Sequence, residues 1–262
     1  MPDGHTIHRA ARDQSRDFAG HSLRVSSPQG RFAREARRLD RRTLERIEPY
    51  GKHLFYWWEG GRITHVHLGL YGRFRRHAAP PPEPRETVRV RLISHERSLD
   101  LIGPAACELL DAKGRDTIIA RLGQDPLLPQ ADVEAVWRRV SRSRAPLGTL
   151  LLNQSVFAGV GNIFRAESLF AIGAHPTREG RSLDRDTFDQ LWAELVRTMK
   201  QSARLNRIVT ATPEEVGKPI SRMKKNERLR IYAKQSCTRC GGPVDRWEQA
   251  ARTIYACAKC QG

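Results

Sequence analysis

Apolar positions near the start of the chain recur at helical spacing. Ile7, Ala10, Ala11, Gln14 and Phe18 fall on one face, Arg9, Arg12 and Arg16 lie on others, and Gly20 ends the pattern. This predicts an amphipathic helix of about four turns. From His21 to about Gly103 the texture changes to short strand-like runs: Ser22 to Val25, Lys52 to Trp58, Arg62 to Leu68, Val88 to Leu92 and Leu99 to Ile102. Alternation in the Val88 to Leu92 run predicts one buried face and a wet Arg face. Glu59-Gly60-Gly61 marks a tight hairpin, and the proline-rich Ala78 to Pro84 stretch reads as an extended loop. The region is expected to form an antiparallel β-sandwich.

Near Leu122 the period lengthens again. Val133, Val136, Trp137 and Val140 mark one helix, Leu150 to Phe157 a second, and Asn162 to Phe170 a third; Phe188, Leu191, Trp192, Leu195, Val196 and Met199 mark a long fourth. Between Asn206 and Lys234 periodicity gives way to Lys, Arg, Pro and Gly, which reads as a mobile basic linker. The expected architecture is α+β and multidomain: a β-sandwich domain over 1–122, a helical domain over 123–220, and a linker with a cysteine-rich finger over 221–262.

Charge narrows the partner. The 262 residues carry 46 Lys and Arg against 29 Asp and Glu, a formal charge of +17, which points to a polyanion, nucleic acid first. No apolar run approaches the roughly 20 residues of a membrane span, and the N-terminus lacks a signal-peptide core. A cytoplasmic protein with no membrane partner is expected.

Four of the five cysteines close the chain as two Cys-x-x-Cys pairs, Cys237 with Cys240 and Cys257 with Cys260. Four thiolates so spaced suit one structural Zn²⁺ with no open coordination position. The loop between the pairs, Gln249 to Tyr255, is expected to form a hairpin presenting Arg252 near its tip. The fifth cysteine, Cys107, is expected to be buried and inert.

A further pattern is Asn153 to Glu167, where a helix ends at Gly159, Gly159-Val160-Gly161 reverses the chain and Asn162 caps the next helix. The free amides at that helix start suit a phosphate, and the Asn162 side chain adds a donor. Equally, the pattern describes an ordinary capped helical hairpin. Leu70 and Tyr71, at a turn flanked by Gly69 and Gly72, are suited to fill the gap left by a flipped nucleotide, or to join a core.

At the N-terminus, removal of Met1 would leave Pro2 as a free secondary amine beside Asp3. Such an amine can attack a sugar C1′ and form an iminium. The plainer alternative is that Pro2 stiffens the terminus and Asp3 caps the first helix. His5 and His8 flank this position and read as surface histidines.

Taken together, Pro2 with its acidic neighbour, Gly51-Lys52-His53 opening a strand, the glycine turn before Asn162 and the four-cysteine finger with Arg252 resemble the formamidopyrimidine-DNA glycosylase/endonuclease VIII (Fpg/Nei) family. The resemblance covers the chain end to end and is nearest the bacterial endonuclease VIII-like branch. It implies a helix-two-turns-helix domain, a zinc finger and a bifunctional DNA glycosylase and abasic-site lyase. Pro2 would be the Schiff-base nucleophile, and Asp3 stands where the family has a glutamate acid. Lys52 would serve β-elimination, and Arg252 would hold the phosphate and assist δ-elimination. Asn162 and Arg121 would contact DNA, His67 would touch a phosphate near the lesion, and Leu70 and Tyr71 would be the wedge. Gly69 replaces a glutamine of the endonuclease VIII wedge triplet.

The expected substrate is damaged DNA, duplex or single-stranded, with oxidised pyrimidines as the principal lesions. The expected enzyme is a monomer with no nucleotide cofactor, nucleoid-associated when bound to DNA. Oxidised purines are the alternative within the family, and a zinc-finger DNA-binding protein weakened in catalysis by Asp3 is the alternative outside it.

Overall fold

Gly4–Phe18 form α1, which buries Ile7, Ala11, Gln14 and Phe18 as the apolar spacing requires. The structure, a computed structural model, describes residues 2–262. After α1 come β1 (His21–Ser26), α2 (Ala33–Leu39), β2 (Arg42–Tyr50), β3 (His53–Trp58), β4 (Arg62–His67), β5 (Arg73–Ala78), β6 (Val88–Ile93), β7 (Arg97–Ile102), β8 (Ala106–Leu110) and α3 (Ala112–Ile119). The strands are antiparallel throughout, in the order β5-β7-β6-β1-β2-β3-β4-β8. β1 changes partners midway. His21 to Leu23 pair with β2, and Arg24 to Ser26 pair with β6, so one strand belongs to both layers of the sandwich.

Leu54, Tyr56 and Val66 from one layer meet Val90, Leu92, Leu99 and Leu101 from the other, and α1 adds Ile7, Ala11 and Phe18 to the same core. Gln14 joins it because the Tyr56 hydroxyl donates to Gln14 Oε1 at 2.5 Å, which satisfies two buried polar groups at once. One expectation fails here. Arg91 is 3% exposed, not on a wet face, because its Nε and Nη2 donate to Asp100 on β7 at 2.6 and 2.8 Å and its Nη1 to Pro82 O at 2.6 Å.

The helical part follows as α4 (Val133–Val140), α5 (Leu147–Leu152), α6 (Asn162–Ala171), α7 (Arg185–Leu205) and the short α8 (Pro213–Val216), and the chain ends in β9 (Asp245–Gln249) and β10 (Arg252–Ala256). The chain divides into two units, Met1–Arg121 and Leu122–Gly262. In the second, Val136, Leu151, Phe157, Phe164, Leu191 and Leu195 build the helical core. Ala166 and Phe170 of α6 also pack with Ile231, Cys237 and Cys257, so the cysteine finger shares a core with the helices.

The stretch from Asn206 to Lys234 is not a loose linker. Glu167, 1% exposed, accepts the backbone N–H groups of Arg230, Ile231 and Tyr232 at 2.7, 2.9 and 2.7 Å and the Thr210 hydroxyl at 2.5 Å. A buried carboxylate with four donors holds this segment where no apolar periodicity would reveal it.

Candidate active site

Asp3 is the N-cap residue of α1, and its carbonyl accepts from Thr6 N at 2.9 Å. Its side chain makes no capping bond. It turns instead to Lys52, whose Nζ lies 3.5 Å from Asp3 Oδ1, with 7% of either side chain exposed. Lys52 is held there by a two-residue turn, Gly51-Lys52, that sets Tyr50 opposite His53. Gly51 takes φ 56°, the conformation that the first position of such a turn requires and that glycine adopts without strain. Pro2 is half-buried beside this pair. The Met1 processing on which a free Pro2 amine depends lies outside the described residues.

The expectation of surface histidines fails for His5. It is 8% exposed, and burial pulls its pKa down to about 4, so the ring is neutral at pH 7.

Leu68 to Gly72 form a closed turn, with Gly72 N donating to Leu68 O at 3.0 Å. A Cβ at Gly72 would stand 2.3 Å from that oxygen, so only glycine fits. The turn leaves Leu70 51% and Tyr71 81% exposed, and they are the large apolar side chains in water among the described residues. A core role for them is thereby excluded. His67 ends β4 with its ring stacked on His53 at 4.8 Å, and burial first, then His65 and Lys52, lower its pKa. Arg121 is exposed at the end of this unit.

In the second unit the helix before the reversal ends at Leu152, earlier than Gly159, because Gln154 takes over the turn. Its Nε2 donates to Leu152 O and Val160 O, both at 3.0 Å, and its Oε1 accepts from Gly159 N at 3.0 Å. Gly161, not Asn162, is the N-cap of α6, and Asn162 is its first residue. Asn162 Nδ2 donates to Thr253 O of β10 at 2.8 Å, which leaves its second hydrogen for another acceptor.

Sequence reasoning missed Arg165. It is 0% exposed. Its Nη1 donates to Gln249 O at 3.0 Å and Gly148 O at 3.3 Å, and its Nη2 to Arg252 O at 3.3 Å, Thr253 O at 3.4 Å and Asn162 Oδ1. These acceptors are carbonyl oxygens and one side-chain amide; burial lowers its pKa to about 10, and it remains a cation at neutrality. One guanidinium on α6 thus fastens the Arg252 hairpin to that helix and holds the Asn162 side chain. The hairpin turn itself is Ala250-Ala251, at φ 53° and 55°, which places exposed Arg252 opposite Gln249.

The four finger cysteines converge, with all Sγ atoms within 4.8 Å of one another. Cys237 and Cys260 Sγ are 3.8 Å apart, and Cys240 and Cys257 Sγ 3.6 Å. A tetrahedron with metal–sulfur bonds of about 2.3 Å has edges of about 3.8 Å, so the donor set and its spacing fit a bound metal ion. Cys107 lies apart and is half-buried, where a buried residue was expected; desolvation still pushes its pKa up to about 12, in keeping with an inert thiol.

The structure therefore groups Pro2, Asp3 and Lys52 in one unit and Asn162, Arg165 and Arg252 in the other. No helix among the described residues is long and apolar enough to cross a membrane.

The sequence signature of the formamidopyrimidine-DNA glycosylase N-terminal domain covers residues 1–104, and that of the H2TH domain of the same enzymes covers residues 122–214. The chain is 42% identical over 267 residues to Endonuclease 8 1 of Mycobacterium tuberculosis, spanning 100% of both proteins. It is 32% identical over 245 residues to the formamidopyrimidine-DNA glycosylase of Thermomicrobium roseum, spanning 86% of this chain and 84% of that protein. The Lactococcus lactis Fpg structure in complex with abasic-site DNA has the same fold, with a TM-score of 0.80 at 20% identity over 99% of both chains. The chain belongs to the formamidopyrimidine-DNA glycosylase/endonuclease VIII family of DNA-repair enzymes, which join glycosylase to abasic-site lyase activity.

Proposed function

We propose that this enzyme excises oxidised pyrimidines from DNA through a Schiff base on Pro2 and then cleaves the strand by β- and δ-elimination. The reading rests on one observation above the others: the buried carboxylate that follows Pro2 in the chain stands 3.5 Å from the buried Lys52 ammonium. The Pro2 nitrogen attacks C1′, the glycosidic bond breaks, and the base leaves with the bonding electrons and a proton. Asp3 supplies the proton for ring opening at O4′, which leaves an iminium between Pro2 and C1′. The iminium makes the C2′ proton acidic. Its removal expels the 3′ phosphate, a step served by Lys52, and Arg252 holds the phosphate for the second elimination.

Leu70 and Tyr71 fill the stack vacated by the flipped nucleotide, while His67, Arg121 and Asn162 hold phosphates. Cys237, Cys240, Cys257 and Cys260 would hold one Zn²⁺, which would brace the Arg252 hairpin. The enzyme acts as a monomer in the bacterial cytoplasm, on duplex or single-stranded DNA.

A second reading, preference for oxidised purines, is supported by the 32% identity to the Thermomicrobium roseum formamidopyrimidine-DNA glycosylase and by Gly69 in place of a wedge side chain. Excision from duplex and single-stranded oligonucleotides carrying thymine glycol, dihydrouracil or 8-oxoguanine decides between them. Thymine glycol and dihydrouracil are expected to react faster. Faster excision of 8-oxoguanine would establish the purine reading instead.

A further inference from the structure

Two connections cross between the layers of the sandwich side by side. His67 of β4 pairs with Ala106 of β8, and Arg73 of β5 pairs with Ile102 of β7. Residues 68–72 and 103–105 therefore run between the same two rungs, in opposite directions, and form one tip. They touch: a Cβ placed on Gly69 would stand 2.7 Å from Ala105 Cβ, and one placed on Gly103 would stand 3.8 Å from Tyr71 O.

The first connection has room for two outward side chains and no more. Leu68 is 4% exposed, and position 72 is closed by the Leu68 carbonyl. Gly69 is closed twice. Its φ of 64° lies in the left-handed region, where a side chain is strained, and the Ala105 methyl stands where a Cβ would need room. That methyl is fixed to its own backbone and cannot swing aside as the end of a long side chain would. Leu70 and Tyr71 remain, and across from them Gly103, Pro104 and Ala105 bring no side-chain donor or acceptor. Among the residues of the tip, the Tyr71 hydroxyl is the one polar side-chain group.

A base edge is read by donors and acceptors set in a fixed order. Leucine has neither, and a hydroxyl rotates to donate or accept as its partner requires, so it suits any base. Apolar contact discriminates weakly. Arg73, the next charged residue along the chain, belongs to β5 beyond the tip.

We propose that Gly69, sealed by Ala105, makes the wedge indifferent to the base opposite the lesion: the tip fills the gap by stacking and reads no hydrogen-bonding pattern there. The inference rests on the wedge role given to Leu70 and Tyr71 above.

An abasic site has no base pair to break, so the opposite base enters the rate through the protein. The test measures strand cleavage by the full chain on abasic-site duplexes with A, C, G or T opposite the site. Each rate is divided by that on the same strand alone, so that a folding defect cancels. The four wild-type ratios are expected to lie within about fivefold, the discrimination of the weakest good hydrogen-bonded pair. Asparagine tolerates left-handed backbone, so Gly69→Asn probes the Ala105 methyl, and adding Ala105→Gly removes it. The single variant is expected to lower all four ratios about tenfold as the turn is pushed aside. The double variant is expected to recover most of that loss and to spread the ratios by more than about fivefold, because its amide both donates and accepts. A wider wild-type spread, a double variant no faster than the single one, or a double variant as level as the wild type would overturn the inference. Leu70→Ala with Tyr71→Ala separates it from the reading beneath it. Unchanged ratios there would overturn the wedge and this inference together, whereas lowered ratios alongside a wide wild-type spread would overturn the indifference alone.

Discussion

Lys52 Nζ and Asp3 Oδ1 stand 3.5 Å apart with 7% of either side chain exposed, so the acid that follows Pro2 is bound to the neighbouring strand turn and not to its own helix. Removing one partner of a buried pair costs about 3 kcal/mol. Asp3→Asn is therefore expected to lower the stability of the N-terminal unit by about that amount, read as a fall in the urea midpoint. Asp3→Glu moves the carboxyl by about one C–C bond, roughly 1.5 Å, towards the reach of the family's glutamate. Base excision is expected to rise about tenfold or more, with elimination at a pre-formed abasic site little changed. No gain on a damaged base would count against Asp3 as the acid.

Acid should loosen the N-terminal unit before it protonates the carboxylates. His5 is neutral in the fold, with its pKa lowered to about 4 from 6.5. Below pH 6.5 the unfolded chain therefore binds more protons than the folded one. The stabilisation present above pH 6.5 is lost as pH falls to about 4, at about 1.4 kcal/mol per pH unit for one proton. Urea midpoints measured from pH 7 to pH 4.5 are expected to fall, and to fall less steeply in His5→Phe. Equal slopes would show that His5 carries no share.

Arg165 joins three carbonyls of the hairpin region to α6. Lysine keeps the charge and loses the planar fork, so it satisfies fewer of these acceptors. Arg165→Lys is expected to weaken binding to abasic-site DNA about tenfold, the equivalent of about 1.4 kcal/mol, with bound metal retained. Unchanged affinity would remove Arg165 from the interface's support.

Metal removal tests the finger separately. Chelation is expected to abolish DNA binding through loss of the Arg252 hairpin, while urea unfolding of the N-terminal unit stays unchanged. Binding that survives complete loss of metal would contradict the bracing role.

Much of this fold was legible because its main elements bury one regular face. The α1 stripe from Ile7 to Phe18 and the long α7 each follow a single period, whereas the strand pair at His53 and Arg62, buried on both faces, was marked by its aromatic and β-branched residues and by the glycine turn between them. β2 and β5 were missed for the opposite reason: Arg42–Tyr50 fully buries only Leu44 and Ile47, Arg73–Ala78 fully buries none of its residues, and both are rich in charged side chains. Arg91 and Glu167 defied the pattern because a buried charge is decided by partners far along the chain. In the site, residue type and spacing marked Pro2 and the cysteines, and the family resemblance marked Lys52. Arg165 stayed hidden, since its acceptors lie up to 88 residues away and all but Asn162 Oδ1 are backbone atoms that no side-chain motif records.

The central claim is that the Pro2 amine attacks C1′. Borohydride reduction of the enzyme on abasic-site DNA, followed by sequencing of the linked peptide, tests it most directly. The account predicts a covalent adduct at Pro2 that disappears in Pro2→Gly; no adduct, or one on Lys52, would contradict it.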